Sequence, residues 1–228
     1  MRWIAWEKLP TEMQTDEVRK YYDILNRKPI SRYLKRGLDF FGSAILLMLF
    51  SLSFLVLAIA IKLDSPGPVF YRQERVTQYG RRFRIFKFRT MVSNADKIGA
   101  QLTVGNDSRI TRVGRLIRRY RLDEICQLID VFRGTMTFVG TRPEVPAYVA
   151  HYTPEMLATL LLPAGVTSLA SIMYKDEDQL LAAAKDVDNT YVEDILPRKM
   201  EYNLRAMETF SFLGDIRLML KTIAAVLK

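Results

Sequence analysis

Two adjacent carboxylates, Asp123 and Glu124, stand directly after a run of arginines that includes Arg115, Arg118, Arg119 and Arg121. An aspartate approached by cations can attack phosphorus. The carboxylate is the nucleophile, and the cations cancel its repulsion from a phosphorylated substrate. The plain alternative is structural: acidic residues in a first helical turn complement the helix dipole by about 0.3–1 kcal/mol. The same dipole favours the ionised carboxylate that a nucleophile needs. Two other segments seek anions. In Lys87-Phe88-Arg89, read as a strand, side chains two apart share a face, so Lys87 and Arg89 form a two-pronged phosphate clamp. A basic stripe lying against anionic lipid carries the same charge pattern. Gly140-Thr141-Arg142-Pro143-Glu144 holds an arginine between a glycine turn and a proline, which suits anion contact and equally an ordinary turn. The one histidine, His151, sits in a tyrosine-rich stretch and reads as structural. A His-based zinc site or a Ser-His-Asp triad is thereby disfavoured, and acid–base work falls to carboxylates.

The charge around these residues is lopsided. The chain carries a net +9, yet residues 62–121 hold fifteen Lys/Arg against four Asp/Glu, while residues 122–228 hold ten against fifteen. A block this basic seeks phosphorylated substrates, anionic lipid or nucleic acid. No nucleic-acid recognition motif accompanies it. The 228 residues, 49% of them hydrophobic, suit one catalytic domain with a sizeable core plus a membrane element. The lone cysteine, Cys126, excludes an intramolecular disulfide.

From Phe40 to Ile61 run 22 residues without a charge. As a straight helix they would extend roughly 33 Å, enough for the hydrocarbon core of a bilayer. The run begins too late, and is too long, for a cleavable signal peptide. Arg27, Lys28, Arg32, Lys35 and Arg36 precede it, and Lys62, Arg72, Arg75, Arg81, Arg82, Arg84, Lys87 and Arg89 follow it. Lys/Arg-rich flanks stay in the cytoplasm. A single span satisfies only one of these flanks; a bent helix that enters and leaves the same leaflet satisfies both. Ser51 and Ser53 lie mid-run, where hydroxyls bonding back to carbonyls help a bend. An ordinary spanning anchor is the other reading.

The remaining elements must position the charged groups. Asp64-Ser65-Pro66-Gly67-Pro68 stops the apolar helix. Val69–Val76 and Arg81–Met91 read as two strands of a hairpin, joined by Thr77-Gln78-Tyr79-Gly80. Residues 94–110 read as a loop with a short helix. Thr111–Arg119 reads as an amphipathic helix, and a second helix is expected from Asp123. Thr137–Glu144 reads as a short strand and turn. Further helices are expected at Pro154–Leu162, broken by Pro163-Ala164-Gly165, then at Asp176–Lys185, Tyr191–Phe210 and Leu213–Leu227. Residues 1–30 read as an N-terminal extension outside the core, 31–63 as the membrane helix and 64–228 as the catalytic domain. The fold class is α+β, mostly helical, with a small β-hairpin and amphipathic surface helices.

In order along the chain stand KRGLDF, the apolar run, IKLDSPGPVFYRQERV, IFKFRTM, RLDEICQLIDVFRG, FVGTRPE and SFLGDIRLMLKTI. This series resembles the bacterial sugar transferase family, the monotopic phosphoglycosyl transferases, from about Lys35 to the C-terminus. The resemblance implies that Asp123 attacks the β-phosphate of a UDP-sugar and expels UMP, with Glu124 as its neighbouring acid/base or orienting group. Undecaprenyl phosphate then takes the phosphosugar from the aspartyl intermediate. It implies a magnesium ion at Asp123 that neutralises the pyrophosphate, and phosphate-binding roles for Lys87, Arg89, Arg118 and Arg142. The membrane run becomes a re-entrant helix bent at Ser51, with the catalytic domain on the cytoplasmic face of the bacterial inner membrane. Implied partners are UDP-sugar, undecaprenyl phosphate, the membrane, downstream glycosyltransferases of surface-glycan assembly and a second copy in a homodimer, but no nucleic acid. Larger members carry additional membrane helices and a further domain, so the expected form here is the core alone.

Four departures from the family pattern stand out. The usual mid-helix Ser-Pro reads Ser51-Leu52. Val-Gly-Pro-Arg-Pro reads Val139-Gly140-Thr141-Arg142-Pro143, and Gly-Trp-Ala-Gln reads Ser168-Leu169-Ala170-Ser171. An aspartate expected eight residues before Ser211 is Asn203. The last two predict a changed nucleotide or sugar contact, and leave Asp176, Glu177 and Asp178 as acidic residues without an assigned role. Two other functions share these features: a membrane hydrolase using Asp123 without a lipid acceptor, and a basic membrane-surface adaptor in which Asp123 does nothing.

Overall fold

The computed structural model describes residues 3–95, 107–174, 177–182, 184 and 186–226. Helix α1 (Asp16–Asn26) is capped by Thr15, whose side chain accepts from the Val18 N–H. It buries Val18, Tyr21, Tyr22 and Leu25. These residues, with Leu9 and Met13, pack on Leu160, Leu161, Met207 and Phe210. The N-terminal segment is therefore part of the main core and not an appendage outside it. Its apolar residues are scattered among charges, and only the partner surface supplied by distant segments reveals which face they fill.

The apolar run forms two helices, α2 (Pro29–Leu49) and α3 (Ser51–Asp64), bent by 61° at a break. No single helix among the described residues is long and apolar enough to cross a membrane. The break falls on Phe50 (φ −89°, ψ 6°), and Ser51 is the first residue of α3. The hydroxyl that bonds backward is that of Ser43, to the Asp39 carbonyl at 2.5 Å. Neither a proline nor the Ser51 hydroxyl accounts for the bend. Its two arms are instead fixed at their ends. On α2, Lys35 donates to the Val139 carbonyl (2.6 Å) and pairs with Asp215 (2.7 Å). Arg36 donates to the carbonyls of Val131 and Phe132. Asp39 accepts from the Thr137 hydroxyl (2.7 Å) and the Phe138 N–H (3.0 Å). At the foot of α3, Asp64 accepts from the Val113 N–H at 2.9 Å.

Strands β1 (Phe70–Val76) and β2 (Arg82–Phe88) form the expected antiparallel hairpin, in register from Phe70 opposite Phe88 to Val76 opposite Arg82. The expected loop and short helix at 94–110 lie, for 96–106, outside the described residues. Helix α4 (Arg112–Arg119) is capped by the Thr111 hydroxyl. A 3₁₀ turn (Leu122–Gln127) leads into α5 (Leu128–Arg133) and then β3 (Met136–Val139), which is buried throughout. After α6 (Pro146–Val149), the helical stretch expected at Pro154–Leu162 is a 3₁₀ helix at Met156–Leu161. Ala164–Thr167, read from the sequence as a break, is strand β4, parallel to β3. A four-residue strand whose partner lies more than twenty residues away carries no local periodicity. Gly165 makes the pairing possible, because a Cβ there would stand 2.2 Å from the Gly140 backbone. Helices α7 (Leu169–Met173), α8 (Glu177–Ala182) and α9 (Val187–Thr190) follow. A π-turn (Tyr191–Ile195), α10 (Leu196–Glu208) and the amphipathic α11 (Phe212–Val226) close the chain. The protein is mostly helical with one small hairpin and a two-stranded parallel sheet, which bears out the α+β reading.

The outer surface of the α2–α3 hairpin is apolar and bare. Phe41, Ile45, Met48, Leu49, Leu52, Leu55, Val56 and Ile59 are exposed, Leu52 by 70%. Contiguous apolar surface on this scale marks a contact with a membrane, a partner or a ligand.

Candidate active site

Asp123 and Glu124 lie on the 3₁₀ turn and not at the N-terminus of an α-helix. Arg121 precedes them in the left-handed region (φ 52°), which breaks the chain away from α4. The helix-dipole argument for an ionised Asp123 therefore fails. Burial raises the Asp123 pKa first, and the neighbouring Glu124 charge raises it further, against the pull of Lys87 and Arg118. The turn is held from below. Leu122, Ile125 and Cys126 pack with Phe88, Ile117 and Ile61, and Phe54 and Leu57 join the same cluster. The carboxylate pair thus rests on the core that ends α3.

Glu124 is saturated. Lys87 donates to Oε1 at 2.9 Å, and Arg142 forks onto it, Nη1 to Oε2 at 3.2 Å and Nη2 to Oε1 at 2.5 Å. Burial alone would raise its pKa. The Arg142 and Lys87 charges overcome that and hold the carboxyl well below the usual range. A planar guanidinium on a carboxylate is the strong, orientationally fixed form of ion pair. Among the described residues no side chain hydrogen-bonds to the Asp123 carboxylate. One acid is thus locked and ionised, and its neighbour is left available for reaction.

The four cations expected here separate into two groups. Lys87 and Arg142 meet at Glu124. Arg118 donates its Nε to the Thr90 hydroxyl at 2.9 Å and lowers the Asp123 pKa through its charge. Arg89 does not join Lys87 in a clamp. Strand β2 ends at Phe88, and the Arg89 guanidinium caps the C-terminus of α3, donating to the carbonyls of Ile61, Ser65 and Pro66 and to the hydroxyls of Ser65 and Ser93. The orphaned carbonyls of a helix end take up such donors. Gly67, at φ 129°, clears the way: a Cβ there would meet Arg89 Nη1 at 2.0 Å. His151 is an exposed turn residue.

Arg142 is aimed by groups the sequence did not reveal. The Gly165 N–H donates to the Thr141 carbonyl (2.8 Å), extending the β3–β4 ladder to the residue before it. On the other side, the Val76 N–H donates to the Glu144 carbonyl. The Tyr191 hydroxyl donates to the Glu144 carboxylate at 2.5 Å, and Lys199 donates to the Tyr191 hydroxyl at 3.0 Å. Lys199 also pairs with Glu177 at 2.8 Å, which gives Glu177 its role. Asp176 and the Asp178 side chain lie outside the described residues. The one available signal was Lys199 itself, a lysine on the same helical stripe as Leu196, Met200 and Asn203.

A cleft opens beside the end of β3. Thr141, Ser168, Leu169 and Asn203 line it, with the Lys35–Asp215 pair at one wall. Three of the four departures from the family pattern, scattered over more than sixty residues, therefore converge on one cavity. Asn203 is only 5% exposed, and its amide donates to the Met200 sulfur, at 3.8 Å.

A magnesium ion is usually held by one or two carboxylates with substrate phosphates completing its shell. Among the described residues no three acidic, His or Cys side chains cluster as a metal site. With Glu124 engaged by two cations, the donor set fits a magnesium ion held by Asp123 and by phosphate oxygens of a bound donor.

The family model described as bacterial sugar transferase matches residues 30–228. Over 203 residues the chain is 36% identical to the UDP-N-acetylgalactosamine-undecaprenyl-phosphate N-acetylgalactosaminephosphotransferase of Aeromonas hydrophila, covering 87% of this chain and 45% of that protein. It is 34% identical over 196 residues to a UDP-glucose:undecaprenyl-phosphate glucose-1-phosphate transferase of Caulobacter vibrioides, covering 85% and 69%. The exopolysaccharide production protein ExoY of Rhizobium meliloti is 30% identical over 214 residues, covering 87% and 88%. The chain thus spans less than half of the Aeromonas protein and most of the other two.

Proposed function

The chain belongs to the bacterial sugar transferase family, and on that premise we propose that it transfers a sugar-1-phosphate from a UDP-sugar to undecaprenyl phosphate. One observation carries the reading: among the described residues no side chain hydrogen-bonds to the Asp123 carboxylate, while its neighbour Glu124 is fixed by Lys87 and Arg142. In the first step an Asp123 oxygen attacks the β-phosphorus, the bond to the bridging oxygen breaks, and UMP leaves with the electron pair. In the second, an oxygen of undecaprenyl phosphate attacks the same phosphorus and Asp123 departs as carboxylate. The product is an undecaprenyl-diphosphate sugar, a starting point for surface-glycan assembly by downstream glycosyltransferases. A magnesium ion held by Asp123 would supply charge neutralisation of the pyrophosphate. Arg118 stabilises the ionised nucleophile, and Lys87 and Arg142 place positive charge beside the reacting phosphate.

The α2–α3 hairpin enters the cytoplasmic leaflet of the inner membrane and returns, with its apex at Phe50. Both of its feet are bonded to the same domain, through Lys35, Arg36 and Asp39 on one side and Asp64 and Arg89 on the other. A spanning helix would carry one foot to the opposite face. Cysteines placed at the exposed Ile30 and Leu63 are expected to react with an impermeant maleimide only after spheroplasts are opened. Cys126 is buried and gives no background. Labelling of one cysteine but not the other in intact spheroplasts would overturn the re-entrant topology.

The cleft at Asn203 selects the donor. Its neutral amide, Thr141 and Ser168 favour uncharged polar groups of a sugar or nucleoside. The test of function is UMP release from a panel of UDP-sugars with magnesium and undecaprenyl phosphate in nanodiscs. Lipid-dependent release with at least one sugar is expected; none from any donor would leave the adaptor reading in place. In the same panel Asn203→Asp is expected to change the ranking of kcat/KM among sugars about tenfold. A uniform change across all donors would refute selection at this cleft.

A further inference from the structure

We propose that the outer face of α4 docks on anionic phospholipid headgroups and seats the domain on a negatively charged leaflet. This rests on the membrane insertion of α2–α3 argued above. The inner side of α4 is already occupied. Ile117 and Val113 belong to the cluster that contains Phe54, Leu57 and Ile61 of α3. Gly114 lies so close to the Thr90 carbonyl that a Cβ would stand 2.0 Å from it. The helix is therefore locked onto the foot of the membrane hairpin, and its outer side is fixed in direction.

That outer side has an unusual content. Leu116 is 56% exposed and Tyr120 61%. They lie one turn apart and share a face. Arg112, Arg115 and Arg119 surround them, all exposed. Among the described residues none of the three forms an ion pair with a carboxylate. Arg119 lies over the Tyr120 ring at 5.8 Å. A solvated surface helix normally intersperses both charge signs; this helix has no acidic residue in any of its turns.

The occupant must satisfy apolar groups and cations together. Anionic phospholipid does so: Leu116 and the Tyr120 ring enter the headgroup–acyl boundary, and the guanidinium groups reach the phosphates. The helix packs on α3, whose Leu55, Val56 and Ile59 are exposed and apolar. Nucleic acid would use the arginines but leave Leu116 in water. Arg118 is turned to Thr90 and is not part of this face.

The test uses the full chain with Leu116→Cys carrying an environment-sensitive fluorophore, in nanodiscs of phosphatidylcholine alone or mixed with phosphatidylglycerol. A blue-shifted emission, quenched by nitroxide lipids and reversed by high salt, is expected only with phosphatidylglycerol. Each arginine is expected to raise the docked population roughly fivefold at low salt. Arg112→Gln/Arg115→Gln/Arg119→Gln is expected to abolish the response, and the matching triple lysine variant to restore it. An identical spectrum in both disc types would overturn the proposal. So would a lysine variant that fails as the glutamine one does, or displacement of the probe by an added oligonucleotide. The readout is spectral and independent of turnover. A docked probe on an inactive enzyme sinks the transferase reading alone, and an undocked probe on an active enzyme sinks only the docking.

Discussion

Asp123→Asn is expected to lower lipid-dependent UMP release by roughly four orders of magnitude or more, the usual cost of removing a nucleophile. The amide keeps the size and burial of the side chain but cannot form the phosphoryl bond. Stability is expected to move the other way. Burial and the Glu124 charge raise the Asp123 pKa, so the folded state binds the proton more tightly than the unfolded chain. Between the ordinary aspartate value, about 3.9, and the raised folded value, stability falls as pH rises. Above that window ionised Asp123 is a standing cost, and Asn removes it. The mutant should therefore melt no lower than the wild type at neutral pH, and higher if the cost is large. Glu124 behaves oppositely. Its pKa is held down, so its contribution to stability is present above the ordinary carboxylate range and lost as pH falls below it. An active Asp123→Asn protein would end the covalent mechanism; an inactive one with a lowered melting temperature would point to misfolding instead.

The second large effect is expected far from the reacting phosphate. Asp39→Ala removes a buried carboxylate that accepts from the Thr137 hydroxyl and the Phe138 N–H. Two donors at the β3–α2 contact then lose their partner in a buried site. Leaving two buried donors unsatisfied costs about 3–5 kcal/mol together. At about 2–4 °C per kcal/mol for a chain of this size, the melting temperature in detergent should fall by about 6–20 °C. Asp39→Asn keeps one acceptor oxygen and should lose less than half as much. The carboxylate lies on the same helix as Lys35 and Arg36, so its loss frees the foot of α2 from the domain. A shift of less than 2 °C for Asp39→Ala would mean that Lys35 and Arg36 alone fasten the hairpin.

The sequence by itself determined a good deal. The uncharged run Phe40–Ile61, the hairpin flanking Thr77–Gly80 and the amphipathic Arg112–Arg119 are local patterns, and each formed where its periodicity or turn residues put it. The ordered motifs were enough to identify the family and to single out Asp123, Glu124, Lys87 and Arg142. The charges and spacing of Lys87 and Arg142 said that these two attract anions. They did not say that Lys87 and Arg142 converge on Glu124 and leave Asp123 free, because that requires β2, the 3₁₀ turn and the end of β3 to meet. Arg89 looked like the partner of Lys87 for as long as a strand was assumed to continue; the end of β2 at Phe88 and the bare carbonyls of α3 reassigned it. The charges before the apolar run looked like a topology signal, yet Lys35 is buried in bonds to Val139 and Asp215, and Arg36 is bonded to the Val131 and Phe132 carbonyls. The bend at Phe50 has no residue of its own to cause it. It follows from two feet fastened to one domain, and contacts between residues a hundred positions apart leave no trace in local periodicity.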